Sequence, residues 1–176
     1  VPGRISRASP ALARAQASWI AAMEPWRGLG YSAAGLGRYL ARKARAGAVL
    51  VTRPSPRAVP AAVAVVDDGV LLGGFIGLLA VRPDAAGQGL GAAMVADVRR
   101  RVARKRRWLY VSCDGNNHAA LRFYRRLGFL RVGRLPDLVR AGRVEILLRQ
   151  STAEPAATSG KIPAVRGRLG YHRGAR

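Results

Sequence analysis

The stretch Leu78 to Val95, LLAVRPDAAGQGLGAAMV, constrains the chain more than any other. An apolar run, Leu78 to Val81, stops at Arg82-Pro83. A turn follows with glycines at 87, 89 and 91, and an amphipathic segment begins there. Strand, glycine turn and helix in succession have a physical use. Glycines without a Cβ let the backbone come close to a ligand. The first helical turn then offers unpaired N–H groups and the positive end of its dipole to an anion. The stretch thus predicts a phosphate-bearing ligand docked at Gln88 to Ala92, without saying which one.

The 176 residues suit one domain with a short appendage. At 49% hydrophobic the chain can build a real core. Its net charge is +22, with 28 Arg against 3 Lys, which would attract polyanions. Cys113 is the only cysteine, so an internal disulfide and a thiolate metal cluster are excluded. His118 and His172 are too few to make a structural zinc site, and no metal is expected. The longest apolar run, Val70 to Val81, contains three glycines and falls short of membrane-spanning length. The N-terminus lacks the apolar core of a signal peptide. The expectation is a soluble cytoplasmic protein with no membrane partner, monomeric or homodimeric, whose Val1 reflects trimming or a non-standard start.

Periodicity and capping chemistry divide the chain into elements. Arg4 to Arg7 reads as a short edge strand. Ser9-Pro10 starts a helix running to about Met23. A second helix follows Ser32, burying Leu36, Tyr39, Leu40 and Ala44, and Gly47 closes it. Ala48 to Arg53 and Ala61 to Val66 read as strands around a turn, and Asp67-Asp68-Gly69 as a hairpin. The strand Val70 to Val81 is expected to break near Gly73-Gly74 or Gly77. The helix from Gly89 buries Met94, Val95, Val98 and Val102. Then come a buried strand, Trp108 to Cys113, a helix from Asn117 to Leu127 capped by Gly128, and strands Phe129 to Leu135 and Arg143 to Arg149. Residues 1–150 form the predicted domain. Residues 151–176, with net charge +4, read as a disordered basic tail, which leaves +18 on the rest.

Three ligands compete for the glycine turn. A nucleotide phosphate loop needs Gly-Lys-Ser/Thr, which Gly91-Ala92-Ala93 does not supply. Gly87, Gly89 and Ala92 do satisfy the dinucleotide pattern G-x-G-x-x-A, and Asp114 lies downstream. That pattern, however, opens a parallel βαβ domain, and here two helices and antiparallel hairpins precede it. Coenzyme A is the third. Val81-Arg82-Pro83 followed by Gly87-Gln88-Gly89-Leu90-Gly91 resembles the acetyl-CoA loop of GNAT-type N-acetyltransferases. Asn117 to Phe129, NHAALRFYRRLGF, resembles that family's second signature, N-x-x-A-x-x-[LF]-Y-x-x-L-G-F. The resemblance covers about Ile5 to Arg149. Its one departure is Ala86, where the family's loop usually has Arg or Gln; Arg82 or nearby arginines would have to compensate.

The resemblance implies an α/β fold: a GNAT-like central mixed, mostly antiparallel sheet flanked by helices, with a splayed strand pair holding the cofactor. It implies acetyl-CoA-dependent transfer of an acetyl group to an amine acceptor, small or protein-borne. Leu79, Ala80 and Val81 would offer backbone groups to the pantetheine, and Gly87, Gln88, Gly89, Leu90, Gly91 and Ala92 would hold the pyrophosphate. Asn117 would bond the cofactor, an assignment that competes with simple helix capping. Tyr124 would serve as the acid for the departing thiolate, against the plainer reading of a core tyrosine. Glu24 and Trp26 lie in the loop where the family receives its acceptor. Nine acids leave few candidate bases; Asp114 and Glu145 stand out, and a water relay would need neither. Cys113 reads as a buried strand residue. Arg99 to Arg107 reads as a solvated helix face that could also bind a polyanion non-specifically. The alternatives are a nucleic-acid- or acidic-partner-binding protein on the same scaffold, or a non-catalytic acyl-CoA sensor.

Overall fold

The computed structural model describes residues 3–53 and 58–153. The predicted tail lies outside the described residues, apart from its first three, as does most of the turn after Arg53. Seven strands form one sheet: β1 (Arg4–Arg7), β2 (Val49–Arg53), β3 (Ala62–Val70), β4 (Gly73–Val81), β5 (Trp108–Asp114), β6 (Leu130–Pro136) and β7 (Val144–Ser151). Their order is β1-β2-β3-β4-β5-β7-β6, and only β4 and β5 pair in parallel. The helices are α1 (Pro10–Ala15), α2 (Ala17–Ala21), α3 (Ala33–Arg45), α4 (Leu90–Ala103) and α5 (His118–Arg126). This is the mixed, mostly antiparallel, helix-flanked sheet that the sequence predicts.

Helix α1 starts as its residues dictate, with Ser9 Oγ accepting from the Leu12 N–H and Pro10 in the first turn. The single helix expected to Met23 is instead interrupted at Gln16. The Leu12 carbonyl, which the Gln16 backbone N–H would otherwise engage, accepts from Gln16 Nε2 at 2.8 Å. Gln16 Oε1 in turn accepts from Trp19 Nε1 at 3.0 Å. A buried amide that satisfies the break makes it tolerable. Helices α3 and α5 both end in Schellman geometry. Ala48 N–H bonds the Lys43 carbonyl and Gly47 N–H the Ala44 carbonyl. Phe129 and Gly128 do the same to Tyr124 and Arg125. Gly47 and Gly128 have φ of 70° and 85°, the conformation this motif requires.

Two cores lie on opposite faces of the sheet. One holds Ile20, Leu36 and Leu40 of the first three helices against Val49, Val51, Val63 and Val65. The other holds Met94, Val95 and Val98 of α4, with Tyr124 and Phe129, against Leu109, Val111, Ile146 and Leu148. In β4, Ile76 faces the second core, yet Leu78, two residues on, faces the first. An undisturbed strand would put both on one face. The register supplies the reason: Val65 pairs with Leu78 and Val66 with Ile76, so Gly77 is an inserted residue. This bulge inverts the phase of β4 and bends it. It stands at one of the break positions expected from sequence.

The expected turn at Asp67-Asp68-Gly69 is displaced. Strand β3 continues to Val70, and the chain reverses at Leu71-Leu72, with φ of 49° and 61°. Asp67 is held in the ladder opposite Phe75 and pairs with Lys43, while Asp68 opposes Gly74 and bonds Arg106 Nε at 2.8 Å. Gly69, at φ 84°, occupies a second register shift rather than a turn corner.

Candidate active site

Beyond the Gly77 bulge, β4 leaves β5. The two strands are in register only at Gly74–Leu109, Phe75–Tyr110 and Ile76–Val111. Leu78 to Val81 therefore turn one edge toward open space while staying paired to β3 on the other. A cavity of about 750 Å³ occupies the divergence. It is walled by β4 at Ile76–Leu79, by β5 at Val111–Asp114, by α5, and by the loops after α2 and after β6. Arg140 of the second loop donates to the Gly28 carbonyl of the first at 3.3 Å, bridging the rim.

Seven residues chosen from sequence share this cavity: Glu24, Trp26, Leu79, Asp114, Asn117, Tyr124 and Glu145. They come from elements spread over 122 positions of the chain, brought together by the sheet order. Ala80 is not among them; its side chain is buried in the opposite core. Val81 and the glycine turn lie farther along, where the position of a Gly91 Cβ would fall 3.3 Å from Phe123 and 3.5 Å from Val81. The second signature thus packs directly against the first.

The turn itself fits a phosphate group. Gly87 and Gly89 have φ of 77°, and a Cβ at either would meet nothing within 4 Å, so the backbone is open to approach. Among the described residues, none accepts a hydrogen bond from the N–H groups of Gln88 to Ala92. They form an unfilled donor cradle at the start of a 14-residue helix. Ala86 is exposed beside it. Arg82, the arginine named as a candidate to compensate, is committed to Asp84 at 2.6 Å.

Inside the cavity the titratable groups differ sharply. Burial pushes the Tyr124 phenol well above its usual value, with Cys113 adding to the shift. Burial also drives the Cys113 thiol up to about 11, so it is protonated and unreactive at neutral pH. Glu145 sits opposite Asp114 in the β5–β7 ladder. Burial raises its carboxyl above the ordinary range and the Asp114 charge adds to this; a Ser112 hydrogen bond and Arg143 oppose it. Burial would raise Asp114 too, but the Asn116 N–H and Arg143 outweigh it and leave its carboxyl low. Arg143 meets Asp114 Oδ2 at 2.7 Å. Of two adjacent acids, one is thus a fixed anion and the other a carboxyl poised nearer neutrality.

Asn117 Oδ1 accepts from the Ala120 N–H at 3.0 Å, so it does cap α5, and it still lines the cavity. Glu24 accepts from Arg27 Nε at 3.0 Å and from the Gly28 N–H at 3.1 Å, which shapes the loop at the rim. Sequence reasoning missed Ser112, Arg140 and Arg143. Arg143 had a legible signal only in hindsight of topology, because β7 begins opposite the end of β5.

The family model of the Acetyltransferase (GNAT) family matches residues 60–129, from β3 through α5. Over that segment the chain is similar to the GNAT acetyltransferases. A GNAT-family acetyltransferase from Desulfovibrio desulfuricans superposes with TM-score 0.67 at 21% identity, over 85% of this chain and 99% of that one. The ribosomal-protein-S18-alanine N-acetyltransferase of Escherichia coli gives 0.67 at 18%, over 90% and 99%. An acetyltransferase from Salmonella typhimurium, solved with its cofactor acetyl-CoA, gives 0.65 at 17%, over 90% and 98%. At such identities the likeness is one of fold. No curated protein matches the sequence significantly.

Proposed function

We propose that this protein transfers the acetyl group of acetyl-CoA directly to a primary amine, carried by a small molecule or a protein, in the cavity between β4 and β5. The observation that carries the reading is the meeting of Tyr124, Glu145, Asp114 and Asn117 in one cavity beside an open N–H cradle. Bound acetyl-CoA supplies the acetyl group as an activated thioester. The N–H groups of Gly87 to Ala92 hold its pyrophosphate, and the free edge of Leu79, Ala80 and Val81 pairs with pantetheine amides as a sheet edge pairs with a peptide.

The acceptor enters past Glu24 and Trp26. An ammonium must lose a proton before its nitrogen can attack, and Glu145 is the base. Its raised carboxyl narrows the gap to the amine, directly or through one water. Asp114 positions Arg143 at the cavity wall through their ion pair. Tyr124 keeps its proton because burial resists ionisation. A free thiol ionises near ~8.5, below this tyrosine, so Tyr124 stabilises the departing sulfur by hydrogen bonding rather than by full transfer.

The direct test is release of free thiol from acetyl-CoA across a panel of amines, from polyamines and aminoglycosides to short peptides with free N-termini. Turnover with at least one amine class, lost on removing Glu145, is expected. Binding of acetyl-CoA without turnover on any acceptor would leave a sensor. Absence of binding would end both readings.

A further inference from the structure

The end of the molecule opposite the cofactor loop carries a feature that acetyl transfer does not use. The β3–β4 reversal consists of Leu71 and Leu72, both at positive φ, where glycine, asparagine or aspartate is the unstrained choice. Both side chains stand in water, 57% and 80% exposed, and Val70 beside them is 38% exposed. Neither hairpin stability nor solubility favours leucines there.

The surroundings of this tip are cationic. A Cβ on Gly69 would lie 3.6 Å from Arg106 Nη2, and one on Gly73 would strike the Trp108 carbonyl at 2.6 Å, so the turn rises directly beside residues 104–108. Asp67 and Asp68, the acids of the hairpin, are matched by Lys43 and Arg106. Arg104, Lys105 and Arg107 are exposed and form no ion pair among the described residues. Trp108 is partly exposed, with the Arg149 guanidinium 3.9 Å and the Arg107 guanidinium 5.0 Å from its ring centre. An apolar tip, an amphipathic indole and a collar of free cations is the arrangement that enters a lipid headgroup layer.

We propose that this end docks on an anionic lipid surface, with Leu71 and Leu72 entering the acyl boundary and Arg104, Lys105 and Arg107 pairing with headgroup phosphates. Nucleic acid would satisfy the cations but leave both leucines in water, and stacking on Trp108 would have to displace its guanidiniums. Helix α4, about 21 Å long at ~1.5 Å per residue, separates this end from the glycine turn, so the docked protein keeps its cavity free. The sequence expectation of no membrane partner rested on the lack of a long apolar run, a criterion to which a two-residue tip is invisible.

The test is co-sedimentation of the full chain with vesicles of equimolar phosphatidylcholine and phosphatidylglycerol, and with pure phosphatidylcholine. Binding to the first only is expected. The double variant Leu71→Asn, Leu72→Gly supplies ideal turn residues and so keeps the fold, yet should bind at least about tenfold more weakly. Lys105→Glu should cost about fivefold or more, while Arg38→Glu on the exposed side of α3 should cost far less. No binding to anionic vesicles overturns the proposal. So does vesicle binding that ignores the leucine change while duplex DNA competes for the protein, which would assign the patch to nucleic acid. Self-association in light scattering that the double variant abolishes, without vesicle binding, would assign the tip to a second copy and equally overturn it.

Discussion

Strand β4 has two edges with opposite histories. Toward β3 it is in register at eight positions, with two irregularities absorbed along the way. Toward β5 it is in register at three positions and then departs. The same residues thus serve as structure on one side and as a vacant pairing edge on the other. Backbone donors and acceptors left unpaired in a sheet are costly unless water or a ligand meets them. A single glycine bulge, absorbed within the β3 ladder, stands where that edge opens, which shows how little sequence is needed to open a site in a continuous sheet.

The comparison is broken most sharply on the open side. Glu145→Gln keeps the size of the side chain and removes the base. Turnover should fall by about a hundredfold or more, with acetyl-CoA binding by calorimetry unchanged. In the parent enzyme, kcat/KM should rise as pH climbs through the carboxyl pKa, which lies above the ordinary range because of burial. That acidic limb should vanish in the variant. An unaltered pH profile would pass the base role to a water relay.

Tyr124→Phe tests the neighbouring wall. Loss of one hydrogen bond to a developing charge should lower kcat by about tenfold to a hundredfold. The ring's packing against Phe123 and Phe129, at 5.0 and 5.3 Å between centroids, is retained, so the melting temperature should stay close to that of the parent. A large fall in stability with unchanged kcat would make Tyr124 a core residue only.

On the closed side the expected effect is on stability alone. Gly73→Ala would place a Cβ 2.6 Å from the Trp108 carbonyl and 2.7 Å from the Tyr110 ring, where β4 and β5 still touch. Destabilisation of about 1–3 kcal/mol is expected, read by denaturant unfolding, with KM for acetyl-CoA little changed. A variant with normal stability but impaired cofactor binding would show that the short paired segment controls the splay.

These contrasts show what the sequence could reveal. Local chemistry is legible: Ser9 and Asn117 cap their helices as their residue types suggest, α3 starts after Ser32 as expected, and Gly47 and Gly128 terminate theirs. The two signatures, read separately, meet in the fold where Gly91 lies against Phe123. What was not legible depends on cross-strand partners. Asp67-Asp68-Gly69 has turn chemistry, but Lys43 and Arg106, contributed by distant elements, hold the aspartates in the ladder. Gln16 reads as an ordinary helical residue until burial lets its amide divert the Leu12 carbonyl. The difference between Glu145 and Asp114 arises from Arg143 and the β5–β7 register, neither of which spacing discloses.

The smallest effect concerns the side chain that the cofactor loop lacks. Ala86 is exposed at the edge of the cradle in extended conformation, with φ −65° and ψ 154°, which arginine adopts without strain. Gly87 and Gly89 leave the approach open and the helix start supplies unpaired donors, so the proposed cradle rests on backbone alone. Adding a cation to an exposed site near a bound anion contributes about 0.5–1 kcal/mol. Ala86→Arg should therefore tighten acetyl-CoA binding by about two- to fivefold at low salt, and the gain should fade as ionic strength rises. A gain of tenfold or more would mean that the backbone cradle is incomplete without a side chain. No gain at any salt concentration would mean that the open strand edge and the unpaired N–H groups already account for the binding, which is what the geometry of β4 implies.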